Sequence, residues 1–264
     1  MSDQIQPLLD FMMVLMVCCS RILGFCSISI FFSSQYLTGT VRRAIILALS
    51  LLVLPKFYAD GYTLLYKDQL VFFGFALKEV LLGTIIGWLT NFIFYAAQCV
   101  GFLIDSQRGA SMASMFDPLS NSQTSPLGDF LIKFVMIISF ICGAFLGIME
   151  LLYLSFEKIP IFSNINLFPS WGTLFFNVQM GTQLFEKILL LGGPVFFLLF
   201  LAEFGLGLIT RFAPQLNVFF LAMPVKSELA MFFFILYLSY LTRYFCFTFN
   251  DHMLADKFIQ LLLH

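Results

Sequence analysis

Six apolar stretches divide the chain, at residues 8–32, 44–54, 70–104, 130–156, 184–210 and 216–241. A helix needs ~20 apolar residues to cross a ~30 Å hydrocarbon core, and the first, fourth, fifth and sixth stretches reach that length. The second is too short, because its 11 residues cover only ~17 Å. The third is too long, because 35 residues would extend ~52 Å if straight. This pattern predicts an all-α protein of hydrophobic, membrane-associated helical hairpins, with about six apolar segments and kinked helices. Helix breaks are expected at Gly192-Gly193-Pro194, Pro214 and Pro224, where a missing N–H and a ring clash kink or end a helix. The last two stretches therefore read as a bent hairpin. A polar linker at 157–183, containing Pro160, Pro169 and Gly172, separates that hairpin from the rest. It sets a boundary between a part at 1–183 and a part at 184–264. Gly83-x-x-x-Gly87 and Gly143-x-x-x-Gly147 place small residues on one helix face, where backbones can approach closely. In the tail at 250–264, Leu254, Phe258, Ile259 and Leu262 recur at helical spacing. That tail reads either as an amphipathic surface helix or as an extension of the sixth helix.

Charge changes the picture. Arg21, Lys78, Glu79, Lys133, Glu150, Glu186, Lys187, Glu203, Lys226 and Glu228 all fall in or beside apolar stretches. A charge at the bilayer centre costs about 2.5–3.5 kcal/mol on insertion scales, so such residues face protein or water. Lys133, Glu150, Glu186 and Lys187 lie near segment ends and can snorkel. Lys78, Glu79, Glu203 and Lys226 lie deeper; with Arg211 and Glu228 they are the candidate charges for helix packing or subunit contacts. Lys and Arg are spread almost evenly over alternate loops, so charge asymmetry assigns no orientation.

Hydrophobic residues make up 60% of the sequence and charged ones 11%, with 36 phenylalanines; this mix belongs in a membrane or a membrane-linked assembly. A net charge of −1 offers no basic surface for nucleic acid. No cleaved signal is expected, since Asp3 and Asp10 occupy what would be a positive n-region. The six cysteines form no C-x-x-C pair and read as small buried residues. Both histidines, His252 and His264, lie in the tail, and no Walker A, H-E-x-x-H or G-x-S-x-G pattern occurs. No catalytic, metal-binding or cofactor-binding residues are therefore assigned, and no enzyme activity is expected. The rival to a structural role is an ion-coupled secondary transporter of a small solute, which would use embedded Glu and Lys in broken helices. Unmatched segment lengths argue against it, because inverted repeats give matched halves.

The most distinctive stretch is the polar insert at 101–128, GFLIDSQRGASMASMFDPLSNSQTSPLG. Loops this long inside compact folds are usually functional or disordered, and Met112, Met115, Phe116 and Leu119 give this one apolar anchors. Together with KEVLLGTIIGW at 78–88 and AEFGLGLITRFAPQLNVFFLAMPVKS at 202–227, the insert resembles the FliR/SctT family of export-gate proteins of type III secretion systems, on the injectisome side. The resemblance extends along essentially the whole chain. It implies a structural and gating subunit of a channel in the bacterial inner membrane, within the secretion basal body, through which unfolded protein substrates pass. It also implies FliP/SctR-type and FliQ/SctS-type partners, to which the parts at 1–183 and 184–264 are respectively similar. An FlhB/SctU-type switch protein, placed against the tail on the cytoplasmic side, and an FlhA/SctV-type export ring are further implied neighbours. On this reading Gln107, Arg108, Gly109, Ala110, Ser111, Met112, Ala113, Ser114, Met115 and Phe116 form a pore plug within the loop at 105–128. The small residues permit movement, and the methionines and Phe116 offer adaptable apolar surface that can seal. Asp117, Pro118, Pro126 and Gly128 are the expected loop anchors, because Pro restricts φ and Gly admits positive φ.

Overall fold

A computed structural model describes residues 2–58, 69–109, 125–161, 171–212 and 218–250. The described residues contain helices and no strand, so the protein is all-α as expected. In order they are α1 (Ser2–Ile28), a 3-10 turn (Ile30–Phe32), α2 (Gly39–Tyr58), α3 (Gln69–Thr90), α4 (Phe92–Gln107), α5 (Pro126–Ile141), α6 (Ala144–Lys158), α7 (Trp171–Phe212) and α8 (Val218–Asn250). Four segments are long and apolar enough to cross a membrane: Phe11–Ile28, Phe72–Thr90, Phe185–Phe212 and Ala222–Thr248. The pair α5 and α6, bent by 78°, would make a fifth.

Several expected boundaries move, each for a local reason. The overlong stretch 70–104 is cut at Asn91, a fully buried amide. Its Oδ1 accepts from Ile30 N at 3.1 Å and its Nδ2 donates to Ile28 O at 2.6 Å, so Asn91 satisfies backbone groups that the end of α1 leaves open. The stretch 130–156 is not one straight span. α5 ends at its C-cap Cys142, and Gly143 takes φ +75°, a left-handed conformation that glycine adopts without a Cβ clash. The short stretch 44–54 lies inside the 20-residue helix α2, whose polar ends (Thr40, Arg42, Arg43 and Lys56) apolar counting trims away. For the same reason α7 begins at Trp171, inside the expected linker: Asn177, Gln179 and Gln183 interrupt the apolar run without interrupting the helix. α7 also continues through Gly192-Gly193-Pro194, and α8 through Pro224.

The helices form two compact units. One holds α1, α2, α3 and most of α6; the other holds α4, α5, α7 and α8. In the first unit α1 packs against both α2 and α3, and the α1–α3 contact is backbone on backbone. A Cβ added to Gly83 would overlap the carbonyl oxygen of Arg21, one on Gly24 would overlap that of Val80, and one on Gly87 would lie 2.8 Å from Phe25 O. The Gly83/Gly87 motif is thus a close-packing face. Gly143 and Gly147 are not, since nothing lies within 4 Å of a Cβ at either position. In the second unit α8 packs against α7 and α5, with Phe130 and Phe234 edge to face at 6.0 Å. Of the cysteines, expected to be small buried residues, Cys18 and Cys26 are buried, Cys99 is exposed, and Cys142 and Cys246 are joined as a disulfide with Cα atoms 5.7 Å apart. The other four cysteines are free. Large apolar side chains remain exposed on α7 and α8, among them Phe197, Phe200, Phe204, Phe232 and Ile235, as expected of surfaces that meet lipid or other subunits.

Candidate functional site

The site is the base of the polar insert, where α4 ends and α5 begins. Asp105, 4% exposed in the last turn of α4, sits where the helix dipole disfavours an acid; specific contacts offset this. Its Oδ2 accepts from Ser125 Oγ at 2.6 Å and from Leu127 N at 2.9 Å, and its Oδ1 lies 2.7 Å from Arg108 Nη2. Ser125 is the N-cap of α5 and accepts from Gly128 N at 3.0 Å, with Pro126 following at the first helical turn. One carboxylate therefore bonds both the cap side chain and an otherwise open N–H of the next helix. Below it, the backbones touch: a Cβ on Gly101 would lie 2.5 Å from Gly128 Cα and N. Gly128 is helical, and what the site needs from it is small size; the positive φ here belongs to Gly109, at +84°.

Replacing Asp105 by Ala would take from the Leu127 N–H its acceptor and from Arg108 Nη2 its carboxylate. Each buried hydrogen bond to a charged group contributes about 1.5–3 kcal/mol. The D105A protein is therefore expected to unfold earlier than D105N, which keeps one acceptor oxygen. Thermal unfolding in detergent checks the order, and equal midpoints for the two variants would contradict the clasp.

The charges are arranged differently in each unit. In the first unit, Arg21 and Glu79 are both 0% exposed and pair at 2.5 Å. Arg21 also donates to Ser155 Oγ and Ile159 O, and its guanidinium lies 4.2 Å from the Phe156 ring centroid. Lys78 lies 3.3 Å from Glu79 Oε1 and donates to Ile161 O at 2.7 Å. In the second unit, Lys226 pairs with Glu203 at 3.1 Å, with the Glu203 side chain 60% exposed. Arg211 and Glu228 are exposed, with no ion pair to another described residue.

Residues 12–252 match the family described as bacterial export proteins, family 1. The chain belongs to that family. Among its relatives, the Yop proteins translocation protein T of Yersinia pestis is 39% identical over 214 residues, covering 78% of this chain and 78% of that protein. The surface presentation of antigens protein SpaR of Salmonella typhimurium is 31% identical, covering 79% and 76%. The flagellar biosynthetic protein FliR of Bacillus subtilis is 29% identical, covering 62% and 63%. The similarity runs to both secretion and flagellar export proteins.

For this bacterial export protein, the structure brings Arg108, Gly109, Pro126 and Gly128 together at the insert's base, with Gln107 in the last turn of α4. Ala110, Ser111, Met112, Ala113, Ser114, Met115, Phe116, Asp117 and Pro118 lie outside the described residues. Two residues that matter, Asp105 and Arg21, are given no role by the sequence. Asp105 had a signal, an acid placed in a helix's final turn just before a long insert. Arg21 had one too, as a lone cation in the first apolar stretch, but its partner lies 58 positions away.

Proposed function

We propose that this export protein is a structural and gating subunit of a type III secretion export gate in the bacterial inner membrane. It forms part of the passage for unfolded protein substrates, and residues 107–116 close that passage at rest. The observation that carries this reading is the fixed base of the insert. A gate segment needs rigid hinge points, and here α4 and α5 are held together by the Asp105 clasp and by glycine backbone contact on either side of the loop. The sequence of the loop supplies small, permissive residues and soft apolar ones, which suits a seal that must yield to varied chains.

The same reading assigns FliP/SctR-type and FliQ/SctS-type subunits as lateral partners, similar respectively to the parts at 1–183 and 184–264. It places the tail at 250–264 against the FlhB/SctU-type switch protein, with the FlhA/SctV-type ring beyond. Exposed phenylalanines on α7 and α8 and the half-exposed Glu203 support partner contacts there, since a carboxylate on an apolar helix face is costly in lipid. The mutual pairing of Arg21, Lys78 and Glu79 supports a packing role for those charges over solute transport.

Deleting residues 109–114 in an otherwise assembled gate is expected to make the membrane leak ions. Conductance across the membrane is the measurement, and an assembled deletion variant that stays sealed overturns the plug.

A further inference from the structure

In the first compact unit, one face of α2 is left open and both of its ends are charged. α2 packs against α1 and buries Ile46, Ser50, Val53 and Leu54. It is fixed to α1 by a Cys19–Ser50 contact at 3.0 Å and by Arg42, whose Nη2 donates to Cys26 O at 2.7 Å. The exposed residues Ala44, Leu47, Ala48, Leu51, Leu52 and Pro55 fall at i, i+3, i+4, i+7, i+8 and i+11, one stripe along the helix. Arg43, four residues before Leu47, heads the stripe; it is exposed and has no ion pair to another described residue. At the far end a cavity of about 270 Å³ lies between α2 and α6, lined by Leu52 and Val53 of α2 and by Glu150, Tyr153 and Glu157 of α6. Glu150 is exposed and has no ion pair to another described residue. The Tyr153 hydroxyl is buried and has no hydrogen-bond partner among the described residues, a costly state for a polar group.

Lipid does not suit this face. From Ala44 to Pro55 the stripe rises only about 17 Å, against a hydrocarbon core of ~30 Å. With Arg43 at one end and Glu150 at the other, a lipid covering would hold a charge in hydrocarbon, where it is poorly tolerated. Ala44 and Ala48, both exposed, have instead the small-x-x-x-small spacing that lets a second helix backbone come close. We infer that this face docks an apolar helix of a different polypeptide, one that brings a basic side chain into the cavity against Glu150 and Tyr153 and an acid to Arg43. This docking rests on the reading of the chain as one subunit of an assembly, and gives that reading a surface. Charge complementarity sets the partner's chemistry. A Lys or Arg stem follows Leu52 and Val53, and its head donates to the Glu150 carboxylate and to the Tyr153 oxygen, which then has its missing partner. Arg43 and Leu52 are ~14 Å apart along α2, so the partner's acid and base lie roughly seven to eleven residues apart on one helix face. A second copy of this chain is a poorer occupant: its α2 stripe offers the cavity only Arg43, whose Nε is turned back to donate to Gly39 O at 3.1 Å.

The test places the photocrosslinker benzoylphenylalanine at Leu51 of the full chain, in membranes of cells that make the whole export apparatus. Mass spectrometry is expected to map the adduct to an apolar helix of another protein, with an acid and a base at the stated spacing. Arg43→Glu and Glu150→Lys should each cut the adduct yield roughly tenfold, because like charges across an interface oppose docking. Reversing the mapped partner residue should restore it. Both side chains are exposed, so unfolding midpoints in detergent should stay at the parent value, which separates lost docking from lost folding. If a reversal does lower the midpoint, Glu150→Gln gives a second reading, with a roughly threefold drop in yield expected. No adduct, an adduct with lipid, with a second copy or with a helix lacking those charges, or a yield unchanged by these substitutions, overturns the docking surface. Co-purification and the loop deletion report separately on the wider reading. A chain that stays in a stable complex of hydrophobic subunits without the adduct keeps the assembly and removes this surface, whereas a mapped adduct beside a sealed loop deletion keeps this surface and removes the plug.

Discussion

Glu79→Gln is expected to destabilise the protein by about 3–5 kcal/mol, the usual cost of removing one partner from a buried ion pair. The variant keeps the side chain's shape and removes its charge, taking from Arg21 the carboxylate it pairs with and from Lys78 the one at 3.3 Å. Arg21 has no route to water, being 0% exposed. Replacing the whole group by apolar residues (Arg21→Met, Lys78→Met and Glu79→Leu together) should recover part of the loss, because the buried charges are gone while Ile159 O and Ile161 O lose these donors. Denaturant unfolding of the purified protein in detergent measures both. A single variant as stable as the parent, or a triple variant worse than the single, would show that the cluster is not held as described.

The second large effect is expected from one methyl group. Gly83→Ala puts a Cβ into the Arg21 carbonyl oxygen, with Arg21 C and Phe25 N each only 2.9 Å away. These are backbone atoms and cannot rotate aside, so α1 and α3 must separate. Overpacking costs about 1–3 kcal/mol and occasionally more; at this position the upper end is expected, with loss of the Arg21–Glu79 geometry. Gly147→Ala is the control. It lies in helix α6 with nothing within 4 Å of the added carbon, and should be neutral or stabilising by up to about 1 kcal/mol. Unfolding midpoints of the two variants check the contrast, which disappears if the α1–α3 backbone contact is looser than described.

Helix content and the general placement of spans were readable because apolar runs of this length have few alternatives. Ends were harder, since a run of apolar residues stops where polarity begins and a helix does not; α2 and α7 both extend through polar residues. The cut at Asn91 depends on the end of α1, some sixty residues earlier, and nothing local to 70–104 announces it. The two G-x-x-x-G motifs look alike in sequence, yet only the one facing another backbone packs closely. Charges deep in apolar runs flagged the Lys78–Glu79 region, but the identity of their partner required the fold. At the insert, Pro126 and Gly128 could be read as boundary residues from their chemistry. That Asp105 ties them to α4 could not be read, because the donors that reach a carboxylate are set in three dimensions.

The Arg21–Glu79 pair also has a consequence for how the protein is made. Arg21 leaves the ribosome 58 residues before Glu79, an interval of about 3–12 s at ordinary synthesis rates of roughly 5–20 residues per second. During it, α1 offers the insertion machinery an apolar helix with an uncompensated cation in its middle. That one charge offsets about 2.5–3.5 kcal/mol of what the apolar residues of α1 gain in lipid, until α3 brings its glycines and its carboxylate together in a single helix. A chain truncated before Glu79 keeps the cation without its partner and is expected to be less stably inserted than one that includes α3, which protease protection of membrane-bound nascent chains would measure.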